Sequence, residues 1–63
     1  MNNNEMKAQA VKVVRDAYVM YMETKEEGYR TGAFDYATAY MNVGLMTQAD
    51  YMNLKREVKA LYK

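Results

Sequence analysis

Three glycines are the only strong helix-breaking residues in this 63-residue chain, because it contains no proline. Gly28, Gly32 and Gly44 divide the chain into three stretches, and apolar residues recur within them at steps of three and four. That spacing places apolar side chains on one face of an α-helix. The sequence therefore predicts an all-α fold, a small three-helix domain over residues 1–63, in which a long first helix packs on a hairpin of the second and third helices.

The first helix is expected over residues 3–27. Asn2 precedes Glu5 at the spacing of a capping box, which marks a helix start. Three glutamates near the end of this segment oppose the negative end of the helix dipole, so we expect its last turn to fray. Gly28 is the residue that we expect to end the helix in a left-handed conformation.

Residues 28–32 are expected to form a short mobile connector. Tyr29 and Arg30 within it are interpreted either as solvated loop residues or as contact residues. The second helix is expected over residues 33–43, and its apolar residues occupy more than half of its circumference. A short helix of this kind either lies at the centre of a bundle or has part of its apolar surface available to bind a partner.

The boundary between the second and third helices is the sharpest local pattern in the chain. Gly44 stands where a helix end needs a left-handed residue, and Leu45 follows where a side chain folds back onto the preceding turn. Thr47 and Asp50 then have the spacing of a capping box. The third helix is therefore expected over residues 48–61.

This boundary is similar to a known family pattern. The matching residues are Gly44, Leu45, Thr47, Asp50 and Tyr51. They resemble the turn of short helical-hairpin modules of the SHOCT-like class, and similar turns are frequent in small bacteriophage and prophage proteins. Ala49 departs from the acidic residue of that pattern. The resemblance covers residues 36–62 and implies a helical hairpin and self-association, but it implies no activity and no catalytic residues.

The composition argues against catalysis. The chain contains no His, Cys or Ser, so the usual nucleophiles and the usual general base are missing. Four carboxylates fall on predicted polar faces or at caps, where a structural role is expected: Asp16, Glu23, Asp35 and Asp50. No spacing matches a calcium loop or a phosphate-binding loop. We therefore expect a protein that is not an enzyme and has no cofactor or metal.

The charge balance indicates no general anionic partner. Nine basic and eight acidic residues give a formal net charge of +1, which creates no global attraction to nucleic acid or to a membrane surface. The longest apolar run, residues 17–22, is far shorter than the roughly 20 residues that a membrane span needs. The chain does not begin with basic residues followed by an apolar stretch, which is the pattern of a signal peptide. We expect a cytoplasmic protein with no membrane partner.

A basic strip on the third helix favours nucleic acid as an alternative partner. It comprises Lys55, Arg56, Lys59 and Lys63, around Met52. These residues are interpreted either as a solvated face or as phosphate contacts. The preceding turn conflicts with a helix-turn-helix motif, because Tyr40 stands where that motif needs a small residue and Asp50 falls at a core position.

Tyrosine and methionine are in surplus, with seven of each. The best core candidates among the large residues are Tyr18, Tyr21, Tyr40, Tyr51 and Leu54. Three short helices have too little interior for all such residues, so the remainder should face outward as a recognition surface. The predicted partner-binding residues are Met20, Met22, Tyr29, Tyr36, Met41, Met52 and Tyr62.

The leading hypothesis from the sequence is a small interaction protein encoded by a phage or mobile element. It would bind a host protein in the host cytoplasm and block or redirect it sterically, as anti-CRISPR proteins and other inhibitors of host defence do. Two alternatives stay open. One is a self-associating structural module whose first helix forms a homodimer seam. The other is a nucleic-acid-binding regulator that uses the basic face of the third helix.

Overall fold

The computed structural model describes residues 2–62, which form three helices: α1 (Asn3–Thr24), α2 (Glu27–Asn42) and α3 (Gln48–Leu61). The predicted all-α fold is confirmed, since the long α1 packs against both other helices. A two-residue loop makes α1 and α2 antiparallel. Glu57 lies beside Arg15 and Tyr62 lies beside Glu23, so α3 runs in the same general direction as α1.

The predicted end of the first helix is wrong by three residues. α1 ends at Thr24, and Lys25 adopts the left-handed conformation that we assigned to Gly28, with φ 61°. The Lys25 amide donates a 2.7 Å hydrogen bond to the Tyr21 carbonyl. The Glu26 amide then donates to the Thr24 hydroxyl at 3.2 Å, which holds the chain in a tight reversal. Lys25 therefore ends the helix in the left-handed conformation. A glycine would adopt that conformation at a lower free-energy cost.

The predicted mobile connector over residues 28–32 is also wrong, because these residues lie inside α2. α2 begins at Glu27, six residues before the predicted start. Glutamates that disfavour the C-terminal end of α1 are favourable at the N-terminal end of α2, where the helix dipole is positive. Glu27 also forms an ion pair with Arg30 and accepts a hydrogen bond from the Thr31 hydroxyl on its carbonyl. The acidic cluster thus starts the second helix.

The turn between α2 and α3 has the predicted geometry. Gly44 has φ 78°, its amide donates to the Met41 carbonyl at 3.1 Å, and the Leu45 amide donates to the Tyr40 carbonyl at 2.9 Å. This pair of bonds is a Schellman motif. The capping box that follows is complete, because Thr47 and Asp50 each accept a 3.0 Å hydrogen bond from the other's amide. Both predictions for this turn are confirmed.

The core takes its large side chains from α1, α3 and the turn, and only alanine from α2. Its buried residues are Ala10, Val14, Tyr18, Ala33, Ala37, Met46, Tyr51, Leu54 and Val58. Tyr18, Tyr51 and Leu54 are therefore buried as predicted, whereas Tyr21 and Tyr40 are half-buried against this cluster. Leu61 lies seven residues after Leu54 and so on the same face of α3, yet it is 79% exposed.

Two glycine substitutions test these helix boundaries. Gly32 is helical and a Cβ there would meet nothing within 4 Å, so Gly32→Ala should raise the free energy of unfolding by about 0.5–1 kcal/mol. Gly44→Ala should lower it by about 1–2 kcal/mol, because Gly44 has a positive φ. Urea unfolding followed by circular dichroism measures both. Destabilisation by Gly32→Ala would mean that residues 28–32 are not helical in solution.

Candidate functional site

Three of the four carboxylates considered above make structural contacts, and the fourth, Asp35, is exposed on α2. Asp16 forms a 3.0 Å ion pair with Lys12, Asp50 caps α3, and Glu23 accepts a 2.7 Å hydrogen bond from the Tyr62 hydroxyl. Within residues 2–62, no three acidic side chains come together in a way that could hold a metal ion. None of the helices in that range has the length and apolar character to cross a bilayer.

The side chains of α2 are distributed in an unusual way. Its buried residues are Ala33 and Ala37, the smallest apolar side chains available. Of its large apolar residues, Tyr40 and Met41 are half-buried, whereas Phe34 is 55% exposed and Tyr36 is 52% exposed. Val43, directly after the helix, is 68% exposed. A helix that served only this core would bury its large residues and expose its small ones.

The exposed residues of α2 lie on two different flanks. The Phe34 ring centre lies 6.4 Å from that of Tyr51, which places α3 on the Phe34 flank. Tyr36 is two residues further on, roughly 200° around the helix. Tyr29, Tyr36 and Val43 are spaced by seven residues and so form one stripe. That stripe lies on the flank of α2 that faces away from α3.

A matching stripe runs along α1. Arg15 forms a 3.3 Å ion pair with Glu57, which places α3 on the Arg15 flank of α1. Met6, Val13 and Met20 are also spaced by seven residues, and they lie on the other flank. Met6 and Met20 are exposed and Val13 is half-buried. The α1 stripe is therefore available on the side that α3 does not cover.

The two stripes border the same side of the antiparallel hairpin, and we call this surface the α1–α2 face. It consists of Met6, Val13, Met20, Tyr29, Tyr36 and Val43. Gly32 and Ala39 separate the large residues of its α2 half. Three of the predicted partner-binding residues belong to it, namely Met20, Tyr29 and Tyr36. Met6 and Val43 were not among the predicted residues, although their seven-residue spacing from other members was a signal for them.

The other predicted partner-binding residues lie elsewhere. Met22 and Met41 were expected on the surface but are half-buried against the core, because each lies beside a core residue on its helix. Met52 is exposed on α3, away from the α1–α2 face. Tyr62 donates its hydroxyl to Glu23, and this hydrogen bond to a carboxylate raises the pKa of Tyr62 above its ordinary value. The predicted residues therefore do not form a single surface.

A second surface lies on α3 and is basic. Lys55, Arg56 and Lys59 have no carboxylate partner among residues 2–62, and neither do Lys7 and Lys25. The other described cations, Lys12, Arg15 and Arg30, each have one. The Lys55 ammonium lies 4.5 Å from the centre of the Tyr51 ring. We call this surface the α3 basic surface; it comprises Met52, Lys55, Arg56, Lys59 and Ala60, which line a shallow depression of about 390 Å³. Lys63, the fourth predicted nucleic-acid contact, lies outside the described residues.

Comparison with known proteins identifies no relative. No family model matches the chain, and no curated protein or solved structure is similar enough to indicate a relationship. The resemblance of residues 44–51 to the SHOCT-like turn therefore stays a prediction, while the local geometry of that turn is explained by its own hydrogen bonds. The α1–α2 face and the α3 basic surface are the two features from which a function can be argued.

Proposed function

We propose that this protein is a noncatalytic binding module that docks its α1–α2 face onto another protein. The observation that carries the proposal is the reversed arrangement in α2, which buries alanines and leaves Tyr29, Tyr36 and Val43 outside. Burying a large apolar side chain contributes about 1.5–3 kcal/mol. A partner that covers this stripe recovers free energy that the isolated chain forgoes. Aromatic residues in such a position are also frequent binding hot spots.

The spacing of the face supports a helical partner surface. Residues seven apart on a helix form a nearly straight seam, and a second helix packs along such a seam with its side chains between those of the first. Gly32 and Ala39 lie between the large residues of the α2 stripe. Small residues in those positions let a neighbouring helix approach closely. The face therefore combines large anchors with space for a partner backbone.

The proposed mode of action is steric, because the chain has a binding surface and contains no His, Cys or Ser for catalysis. The turn at residues 44–51 supports a narrower version, in which the chain is encoded by a phage or mobile element and occupies a host protein in the host cytoplasm. An inhibitor of host defence of the anti-CRISPR kind is one such case. This narrower version rests on the resemblance of that turn and on the small size of the chain.

Capture from a lysate followed by a matched pair of variants tests the proposal. The immobilised full-length protein is exposed to nuclease-treated bacterial lysate, and the affinity of the retained protein is then measured for wild type, Tyr36→Ala and Phe34→Ala. Both side chains are exposed aromatics on α2, but only Tyr36 belongs to the α1–α2 face. Tyr36→Ala should weaken binding about 30-fold, which corresponds to a hot spot of roughly 2 kcal/mol. Phe34→Ala should change it little; equal effects, or none, would contradict the assignment.

Self-association through the same face is a second candidate function. An antiparallel helix pair with seven-residue apolar stripes on both helices has the form of half a four-helix bundle. A second copy would complete that bundle around a two-fold axis, each face meeting its equivalent. Sedimentation equilibrium distinguishes the two functions. A dimer that Tyr36→Ala dissociates and Phe34→Ala does not would establish this candidate, and a strict monomer at high concentration would exclude it.

A further inference from the structure

The α3 basic surface shares no residue with the α1–α2 face and is separated from it by the body of the molecule. Its two ends are apolar, because Met52 is 48% exposed and Ala60 lies two turns further along α3. The three cationic side chains lie between these two residues along the helix, and all five residues line the depression described above. Neither the core nor the binding function proposed for α1 and α2 accounts for this arrangement.

The cations of this surface are free to take a partner. Elsewhere in residues 2–62, the ion pairs join Lys12 to Asp16, Arg15 to Glu57 and Arg30 to Glu27. On α3, the guanidinium of Arg56 reaches only the amide oxygen of Asn53, at 3.4 Å. A charged hydrogen-bond donor that meets a neutral acceptor at this distance retains most of its capacity for a carboxylate.

One of the three cations is also held in place. The Lys55 ammonium lies over the ring of Tyr51, whose side chain is buried and so fixed by the core. The Tyr51 ring also packs against Phe34 of α2, with 6.4 Å between the ring centres. An ammonium fixed over an aromatic ring loses less conformational freedom on binding than a freely moving lysine does. The surface therefore has one preorganised charge beside an exposed apolar side chain.

We propose that the α3 basic surface binds an acidic amphipathic helix of a partner protein. An apolar side chain of that helix would lie over Met52, and carboxylates one and two turns away from it would reach Lys55, Arg56 and Lys59, which all follow Met52 along α3. Exposed apolar side chains bordered by charged groups are a usual feature of protein interfaces. The opposite charges of the two helices would set their orientation and speed their encounter.

The same observations favour a protein over a nucleic acid. Phosphate groups would use the three cations but would leave Met52 and Ala60 without a contact, since a phosphate backbone offers no apolar group at that position. The net charge of the whole chain is only +1, so there is no wider positive field to attract a polyanion. The exposed Met52 side chain thus distinguishes a protein partner from a nucleic acid, and substitution of Met52 tests which of them binds.

The test is a titration of the full-length, ¹⁵N-labelled protein followed by NMR at physiological salt. The first probe is a synthetic helical peptide with one leucine flanked by glutamates three, four and seven residues away on both sides. The second is the same peptide with glutamine for glutamate. The third is mixed-sequence DNA, single-stranded and duplex. We expect the acidic peptide to shift amide signals of α3, and the glutamine peptide and the DNA to bind at least about tenfold more weakly.

Three variants complete the design. Met52→Ala should weaken the acidic peptide about fivefold, and the triple variant Lys55→Gln, Arg56→Gln, Lys59→Gln should weaken it at least about tenfold. Lys7→Gln removes an exposed lysine of α1 and should change nothing. Circular dichroism verifies that each variant is folded. Tyr36→Ala should also leave this titration unchanged, so a failure here is distinguishable from a failure of the α1–α2 proposal.

Two results would overturn the inference. One is DNA binding that is tighter than peptide binding, falls steeply with salt and is insensitive to Met52→Ala, which would assign the surface to nucleic acid. The other is a result that reduces the surface to a solvated charged face. Either an absence of α3 shifts with every probe or an effect of Lys7→Gln as large as that of the triple variant would be such a result.

Discussion

The Leu54→Ala variant is expected to be largely unfolded at room temperature. Leu54 is 2% exposed and is among the largest fully buried side chains of the core. Truncating a buried leucine to alanine costs about 2–5 kcal/mol, since it removes apolar contacts and leaves a cavity. A domain of this size is stabilised by roughly 3–5 kcal/mol in total. The loss is therefore comparable with the whole free energy of unfolding.

Leu61→Ala is the matched control. It makes the same chemical change two turns further along α3, at a residue that remains mostly in solvent. Its effect should stay within about 0.5 kcal/mol. Thermal and urea unfolding of both variants, followed by circular dichroism, measure the difference. If Leu54→Ala unfolded at the same urea concentration as Leu61→Ala, the buried face of α3 would be wrongly placed.

The contrast between these leucines shows what the sequence can and cannot predict. The step of seven residues from Leu54 to Leu61 predicts correctly that both lie on the same face of α3. It does not predict which turns of that face the neighbouring helices cover. Periodicity gives a direction around the helix, and burial depends also on where the neighbouring helices lie.

The two turns differ in the same way. The boundary at Gly44 could be predicted because its partners are local: Leu45, Thr47 and Asp50 lie within six residues of it and hold one another by hydrogen bonds. The boundary at Gly28 was predicted from a glycine alone, and that glycine is helical. The actual reversal uses Lys25 in a conformation that lysine rarely adopts. Glu26 and Glu27 favour a helix start directly after it, but no residue type marks Lys25 as the left-handed position.

The sequence predicted that the candidate site is an apolar surface, but it did not predict all of the residues that form it. The surplus of tyrosine and methionine indicated an apolar surface, and Tyr29, Tyr36 and Met20 do lie on one. Met22 and Met41 instead fill gaps beside the core, a role for which the flexible methionine side chain is well suited. Which of two similar residues packs inward depends on how α1, α2 and α3 are arranged around one another, and helix periodicity does not contain that information.

The second large effect is expected from Ala37→Leu. Ala37 is fully buried between α2 and its neighbours, where α2 contributes only alanines to the core. A leucine there adds three carbon atoms to a packed seam, which costs about 1–3 kcal/mol through displaced side chains and backbone. Ala39→Leu makes the same change two residues away at an exposed position, and its effect on stability should stay within about 0.5 kcal/mol. Thermal unfolding of the two variants measures the difference, and equal destabilisation would contradict the close packing of α1 on α2.

The same pair connects packing to the proposed function. Ala39 lies between Tyr36 and Val43 on the α1–α2 face, so a leucine there occupies the space through which a partner helix would approach. Ala39→Leu should therefore keep the fold and yet weaken capture of the partner about tenfold. Ala37→Leu should lower stability and capture together, because the α1–α2 face is held less firmly in place. Undiminished capture by Ala39→Leu would mean that the partner contacts Tyr36 without packing along the small residues beside it, and the helical partner would then have to be abandoned in favour of one that contacts the aromatic anchors alone.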